Sequence, residues 1–270
     1  MRKKSVVLRC FVGLALVYAS LSTHAAAAEK IIDYKIDGQD YRGYAYFDDT
    51  IKTPRPLLVL IPNWLGTTAE NREQAAMIAG SDYVVFVADM YGTKAQPTGP
   101  EAAGKLVGSL YANRPLLRER VLAAKTTALR SVKEAGLPAD PTRIAAIGFC
   151  FGGATALELA RTGDDIAAAV SFHGNLSLPA GKEAAAPIKA RILALHGDVD
   201  PYVPAEQVDA FQNEMRSANV DWQLVRFGGA VHSFTDVHAK QPGKSQYDAK
   251  VASRAFQMMR NFLAEAFASR

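Results

Sequence analysis

The segment GFCFG, residues 148–152, places a cysteine between two glycines that each lie two positions away. The apolar run RIAAIGF (143–149) leads into it, and the helix-forming run GATALELARTG (153–163) follows. This order is typical of the G-x-nucleophile-x-G turn, where any residue larger than glycine would collide with the neighbouring strand and helix. The start of the following helix also favours a thiolate. We therefore predict that Cys150 is a nucleophile; the alternative is a structural cysteine in a glycine-rich turn.

A thiol nucleophile needs a base and an acid that orients the base. His232 lies in RFGGAVHSFTD (226–236), a glycine-rich segment after a predicted strand, and Asp198 and Asp200 both follow the predicted strand RILALHG (191–197). The order nucleophile, acid, histidine is that of α/β-hydrolases, so it predicts His232 as the base. Spacing alone leaves both aspartates open.

The remaining histidines beyond residue 28 fit the role of base less well. His173 ends a predicted strand but precedes any downstream acid, and His196 ends its own strand, where we expect it to support the loop. His238 lies in a polar stretch and is expected to be solvated.

Residues 1–28 have the layout of a secretory signal peptide, with a basic start, a largely apolar middle and small residues near positions 27 and 28. The uninterrupted apolar part, Cys10 to Leu21, is too short to favour a membrane span. We expect a secreted or periplasmic protein with no stable membrane insertion once the leader is removed; a retained N-terminal anchor is the alternative. Cys150 is then the one remaining cysteine, so no internal disulfide is possible.

Charge excludes one class of partner. Of the 31 lysines and arginines, four lie in residues 1–28, which hold no acidic residue, and the others equal the 27 acidic residues in number. A chain so balanced has no predicted basic surface, so we expect no nucleic-acid partner.

Short apolar runs alternate with longer helical patterns along the rest of the chain. Strands are predicted at 57–62, 83–92, 143–149, 166–174, 191–197 and 222–229, and helices at 67–81, 116–136, 153–163 and 247–268. An antiparallel hairpin is predicted at 30–49, around Asp37-Gly38. The predicted fold class is α/β, one domain over residues 29–270 with a mostly parallel, doubly wound sheet and an N-terminal antiparallel hairpin.

Four segments, IGFCFGGA, VSFHGNL, HGDVDPYVPAEQV and GAVHSF, together resemble the dienelactone hydrolase family of α/β-hydrolases, which use a cysteine nucleophile. The likeness runs from about residue 30 to the C-terminus, and it implies the α/β-hydrolase fold. It also implies that Asp200 is the acid and that His232 is the base. The backbone N–H of Phe151, directly after the nucleophile, is one predicted oxyanion donor, and the resemblance places the other at Trp64.

This sequence also departs from the family. Dienelactone hydrolases proper carry a glutamate where this chain has Asn63, and the resemblance implies that the switch coupling thiol activation to substrate binding does not operate in the same way. The arginines that hold a substrate carboxylate are replaced by Thr93, which is followed by Lys94, and by Asp236. The chemistry is therefore expected to carry over, and the dienelactone substrate is not.

These observations predict a hydrolase that cleaves a small-molecule carboxylic ester or lactone through an acyl-enzyme, with no metal ion or cofactor. Substrate contacts are predicted at Asn63, Tyr91, Tyr202 and Phe234, with Phe149 and Phe151 as further candidates for an apolar pocket. The alternative is a non-catalytic α/β-hydrolase-like binding protein. A thiol redox sensor would need a resolving cysteine, and nucleotide-binding motifs are absent.

Overall fold

The computed structural model describes residues 27–178 and 188–268, so the predicted leader lies outside the described residues except at its last two positions. The strands are β1 (Ala28–Ile36), β2 (Gln39–Phe47), β3 (Arg55–Ile61), β4 (Val84–Val87), β5 (Ala139–Phe149), β6 (Ala168–Phe172), β7 (Arg191–Gly197), β8 (Trp222–Phe227), β9 (Lys240–Gln241) and β10 (Ser245–Gln246). The helices are α1 (Ala69–Ala79), α2 (Pro100–Ala112), α3 (Arg114–Glu134), α4 (Phe151–Arg161), α5 (Ala205–Ala218) and α6 (Ala249–Ala268).

The described strands β1 to β8 form one sheet in the order β1-β2-β4-β3-β5-β6-β7-β8. The six strands β3 to β8 are parallel to one another. By contrast, β1 pairs antiparallel with β2, and β2 pairs antiparallel with β4. The hairpin turn is at Asp37 and Gly38, whose φ angles of 46° and 80° match the type I′ turn that fits the twist of two paired strands. The predicted fold class is confirmed.

Both faces of the parallel strands are covered, which explains their continuous apolar sequences. Along β3, Leu57 and Val59 belong to the core beneath α3, α4 and α5, while Leu58 and Leu60 belong to the core beneath α1 and α6. None of the described helices has the combination of length and apolar character that crossing a membrane requires.

The structure differs from the predicted elements at several boundaries. Strand β4 ends at Val87, because the buried carboxylate of Asp89 accepts the N–H groups of Tyr91 and Gly92 and turns the chain. Helix α3 ends at Glu134, and Gly136 takes a left-handed φ of 63° just beyond it.

Two helices were not predicted at all. Helix α2 contains Gly104 and Gly108, which lower intrinsic helix propensity. Helix α5 could have been predicted from the sequence, because the apolar residues Val208, Phe211 and Met215, which are buried in the structure, recur at helical spacing.

Candidate active site

Cys150 lies at the carboxyl end of β5 and caps the start of α4. Its backbone has φ 55° and ψ −118°, in the left-handed half of the φ range, which is strained for a residue with a side chain. Its N–H donates to the carbonyl of Phe172 at 3.0 Å and to Nδ1 of His173 at 3.2 Å. The residue as a whole is half-buried at this sharp turn.

The flanking glycines are required by close backbone contacts. A Cβ at Gly152 would come within 2.5 Å of the Pro62 carbonyl oxygen and closer still to that of Ile61. A Cβ at Gly148 would come within 2.7 Å of the amide nitrogen of Gly153. Helix α4 therefore starts directly against β3 and β5, and only glycine allows this approach.

His232 and Asp200 are brought together from the ends of two neighbouring strands. Asp200 follows β7 and His232 follows β8, and His232 Nδ1 lies 2.7 Å from Asp200 Oδ2. The other carboxylate oxygen, Oδ1, accepts the N–H of Tyr202 at 2.9 Å, so both oxygens have partners. Asp198, which the spacing alone left open, instead pairs with Arg226 at 2.6 Å.

The electrostatics of His232 connect it to Cys150. Burial by itself lowers the pKa of His232, but hydrogen bonds with Asp200 and with the Cys150 side chain, together with their charges, raise that pKa to about 10 from an ordinary 6.5. An imidazole with so high a pKa carries a proton at neutral pH. The geometry thus joins the imidazole to the carboxylate of Asp200, and the influence of Cys150 on the pKa of His232 indicates that the thiol side chain lies close to the same ring.

A short hairpin missed by the sequence analysis fixes the backbone of His232. The His232 N–H donates to Lys244 at 3.2 Å and its carbonyl accepts the N–H of Gln246 at 2.9 Å, beside the paired strands β9 and β10. The dipeptide Pro242-Gly243 between these strands is a turn signal that would have predicted this hairpin.

The loop after β3 lies at the same end of the sheet and presents a peptide donor. The Trp64 carbonyl accepts the hydroxyl of Tyr91 at 2.9 Å, and the Tyr91 ring stacks on Phe151 with centroids 6.0 Å apart. Within the described ranges, the N–H of Trp64 has no hydrogen-bond partner. Phe151 is the first residue of α4, so its N–H is among those without a partner inside the helix.

The side chain of Asn63 is held by its oxygen. Asn63 Oδ1 accepts the N–H of Leu65 at 3.0 Å and the Nδ2 of Asn71 at 2.9 Å, and Asn71 Nδ2 also donates to the Gly66 carbonyl at 2.7 Å. Since a backbone N–H can only donate, these bonds identify which end of the Asn63 amide is oxygen. Asn63 therefore helps to shape the loop that carries Trp64.

The other predicted substrate contacts have different surroundings. Tyr202 is half-exposed, and its ring meets His232 edge-on at 5.1 Å. Phe234 has no exposed surface, because it packs against Phe227 and His173 beneath the loop. Phe149 is also buried, stacked on Phe172 at 4.7 Å. The predicted substrate contacts at Phe234 and Tyr91 are therefore corrected. Phe234 supports the histidine loop from within the core, and Tyr91, with 1% of its surface exposed, supports the Trp64 loop through its hydroxyl.

Sequence and fold comparisons decide the family. A model of the dienelactone hydrolase family matches residues 42–267. The chain belongs to the dienelactone hydrolase family. It is a hydrolase of the dienelactone hydrolase type, in the class that cleaves esters or lactones.

Individual relatives of this dienelactone hydrolase family member span most of its length. A dienelactone hydrolase-like promiscuous phosphotriesterase from metagenomic libraries superimposes with a TM-score of 0.82 and 35% identity, covering 90% of this chain and 100% of that one. A Yersinia pestis protein named as a carboxymethylenebutenolidase is 24% identical over 82% of each chain. An uncharacterised Caenorhabditis elegans protein is 39% identical over 54% of this chain and 92% of its own.

Exposed apolar side chains are concentrated at the end of the sheet that carries Cys150 in this family member. Eight large hydrophobic side chains among the described residues are exposed, and five of them lie in loops that follow parallel strands, at the end of the sheet that carries Cys150. These five are Trp64, Leu178, Val199, Tyr202 and Val237. A concentration of exposed apolar side chains at one end of a sheet is typical of a binding surface.

No guanidinium lies at the positions where the family resemblance places its substrate-binding arginines. Thr93 is exposed and donates to the carbonyl of Asp40, on the N-terminal hairpin. Asp236 is half-buried on the histidine loop and accepts the N–H of His238 at 2.8 Å. A negative charge four residues from His232 disfavours an anionic substrate there.

Proposed function

We propose that this protein hydrolyses carboxylic esters or lactones with Cys150 as nucleophile, His232 as base and Asp200 as the group that orients the base. The observation that carries the proposal is the 2.7 Å contact between His232 Nδ1 and Asp200 Oδ2, held near a strained strand-to-helix turn whose thiol side chain contributes to the raised pKa of His232. A sharp turn with a nucleophile, a base and an orienting acid is the arrangement that acyl transfer requires.

In the first half of the reaction, the thiol proton resides on His232 and the Cys150 sulfur attacks the substrate carbonyl carbon. The negative charge that develops on oxygen is received by the N–H groups of Phe151 and Trp64. The tetrahedral intermediate then expels the alcohol, which takes the proton from His232, and a thioester remains on Cys150.

In the second half, His232 takes a proton from water, and the resulting hydroxide attacks the thioester carbonyl. Collapse of this second intermediate releases the carboxylic acid and returns the proton to the Cys150–His232 pair. Asp200 keeps Nδ1 of His232 protonated throughout, so Nε2 stays available for both transfers.

Nucleophile identity is tested with the Cys150→Ala and Cys150→Ser variants and p-nitrophenyl acetate and butyrate. We expect kcat/KM to fall by at least about a thousandfold in Cys150→Ala, because the covalent route is lost. Equal unfolding midpoints in urea would show that the fold is retained. Turnover by Cys150→Ala close to that of the wild type would overturn the nucleophile assignment, and a wild type that binds esters without turning them over would favour a binding protein.

The substrate class that the site supports best is neutral, with an apolar acyl or alcohol group. The support is the exposed apolar side chains Trp64, Val199, Tyr202 and Val237 at the end of the sheet that carries Cys150. Asp236 in place of a cation adds to it. We expect neutral lactones and butyrate esters to have higher kcat/KM than carboxylate-bearing lactones of the same ring size. A preference for the anionic lactone would contradict this substrate class.

A second candidate activity is cleavage of phosphotriesters. It is supported by the similarity, at 35% identity, to a structure named as a promiscuous phosphotriesterase. The same sulfur would attack phosphorus and expel an aryloxide, and water would then have to cleave the phosphoryl-sulfur bond. Paraoxon turnover that persists past one equivalent per enzyme, and disappears in Cys150→Ala, is the expected result; a single burst would show a stoichiometric trap.

A further inference from the structure

His173 lies between the nucleophile and the loop that carries the base. It follows β6, next to β5 in the sheet, and it takes a left-handed φ of 40° with only 2% of its surface exposed. Its backbone N–H donates to Leu195 at 2.8 Å, which continues the ladder to β7. The side chain is thereby fixed at the level of Cys150, although it has no role in the mechanism described above.

The two ring nitrogens of His173 have different partners. Nδ1 accepts the backbone N–H of Cys150 at 3.2 Å, so it carries no proton. Nε2 lies 2.8 Å from Oγ1 of Thr235, and with Nδ1 unprotonated it is the nitrogen that donates. Burial, followed by the neighbouring His232, holds the pKa of His173 well below its ordinary value, so the ring is neutral.

The His173 ring also contacts the base directly. It meets His232 edge-on with centroids 5.1 Å apart, and Phe234 edge-on at 5.0 Å. Thr235 belongs to the same loop as His232, three residues later, and is itself buried. One rigid ring thus joins the backbone of the nucleophile to the loop of the base at three points.

We propose that His173 is a positioning residue, a neutral imidazole whose hydrogen bonds to Cys150 N–H and Thr235 Oγ1 set the spacing between Cys150 and His232. The proposal rests on the function proposed above. If His173 has this role, it changes the reactivity of the Cys150 sulfur without touching substrate, because small displacements of reacting groups have large effects on rate.

The test compares His173→Phe, which keeps the ring and loses both nitrogens, with His173→Asn, whose Oδ1 replaces Nδ1 as acceptor. Ser131→Ala is the control, because Ser131 is also buried with a side-chain hydrogen bond, to the Thr127 carbonyl at 2.8 Å, but lies near the end of α3 and not in the site. The readouts are kcat and KM for p-nitrophenyl butyrate, and the rate of Cys150 alkylation by iodoacetamide from pH 5 to 9. Alkylation reports on the sulfur without any turnover.

We expect His173→Phe to lower both kcat and the alkylation rate by about tenfold to a hundredfold with KM nearly constant, and His173→Asn to recover part of each. Thr235→Val, which removes only the distal hydrogen bond, should lower both by about threefold, and it serves as the test if His173→Phe fails to fold. The proposal is overturned if both rates in the folded His173→Phe variant stay within about twofold of the wild type, or if Ser131→Ala lowers them equally. Where Thr235→Val serves as the test, the same limits apply to it. An active Cys150→Ala variant would refute the proposed function instead, and the alkylation rates would still measure the positioning of the sulfur.

Discussion

The two ends of α4 differ in the interactions that hold them in place, although every residue of this helix is buried. The first turn holds glycines against β3 and β5, follows the strained backbone of Cys150 and contains no charged side chain. The last turns hold Glu158, which accepts from Arg114, Arg118 and Arg161 at 2.5 to 2.9 Å, and Arg161 also pairs with Glu214.

The contrast shows where strain and stability reside in this molecule. The turn at Cys150 is unfavourable for an isolated chain, and it persists only when its surroundings determine it. The ion pairs tie α4 to α3 and α5, so the helix that begins just after Cys150 is held against the sheet. Removing one partner of a buried ion pair is costly because a charge is left uncompensated.

The largest effect is expected from Gly152→Ala at the strained end. The added Cβ would meet the Ile61 and Pro62 carbonyl oxygens, so we expect the free energy of unfolding in urea to fall by at least about 3 kcal/mol, with loss of esterase activity. Gly108→Ala is the control, since Gly108 is an exposed residue of α2 with open space around it, and there we expect a gain of about 0.5–1 kcal/mol. A Gly152→Ala variant as stable and active as the wild type would contradict the tight packing described for the first turn of α4.

Glu158→Gln at the other end should separate stability from activity. We expect the free energy of unfolding to fall by about 3 kcal/mol, because the buried guanidinium of Arg161 loses one of its carboxylate partners. Below the unfolding transition, kcat for p-nitrophenyl butyrate should remain that of the wild type. Glu101→Gln, at the exposed pair with Lys105, should change neither quantity measurably. If kcat fell in Glu158→Gln with the fold intact, the ion pairs would be part of the catalytic arrangement.

The smallest effect is a difference in pH dependence between the charge pairs at the two ends. Since the pKa of His232 rises on folding from 6.5 to about 10, its protonation stabilises the fold fully below pH 6.5, and that contribution is lost as pH rises to about 10. The stability difference between wild type and His232→Gln should shrink over this range. We expect this difference to shrink by on the order of 1 kcal/mol.

The ion pairs of Glu158 provide the reference for this measurement. Hydrogen bonds to Glu214 and Glu158 outweigh burial and raise the pKa of Arg161, so it stays charged across the whole range. The stability difference between wild type and Glu158→Gln should therefore be the same at pH 6.5 and pH 10. Urea unfolding of the three proteins at both pH values measures this, and parallel pH dependence in both variants would contradict the assignment to His232.

Local sequence patterns were sufficient to predict the strands of the sheet and the turn at Cys150. Buried parallel strands are continuous apolar runs, and Asp37-Gly38 fixes the hairpin, so neither depends on distant residues. By contrast, Asp198 and Asp200 lie two positions apart in one loop, and spacing alone could not separate them. The structure separates them because Arg226 on the next strand pairs with Asp198 and leaves Asp200 beside His232.

The contacts of His173 and Phe234 could not be predicted from local patterns either. Phe234 lies two residues after His232 in the sequence. Its complete burial depends on Phe227 at the end of β8 and on His173 after β6. The tautomer of His173 depends on the backbone N–H of Cys150, 23 positions earlier in the chain. Such contacts between strand ends appear only when the sheet order is known.

The loop that carries Trp64 gives the molecule an intrinsic fluorescent reporter. The chain has two tryptophans. Trp64 is 36% exposed in the loop after β3, at the end of the sheet that carries Cys150, whereas Trp222 lies on β8 and packs edge-on against Phe211. A molecule that enters the cleft alters the environment of the first indole and leaves that of the second unchanged. Emission from the Trp222→Phe variant would therefore follow occupancy of the cleft alone, with no dye attached.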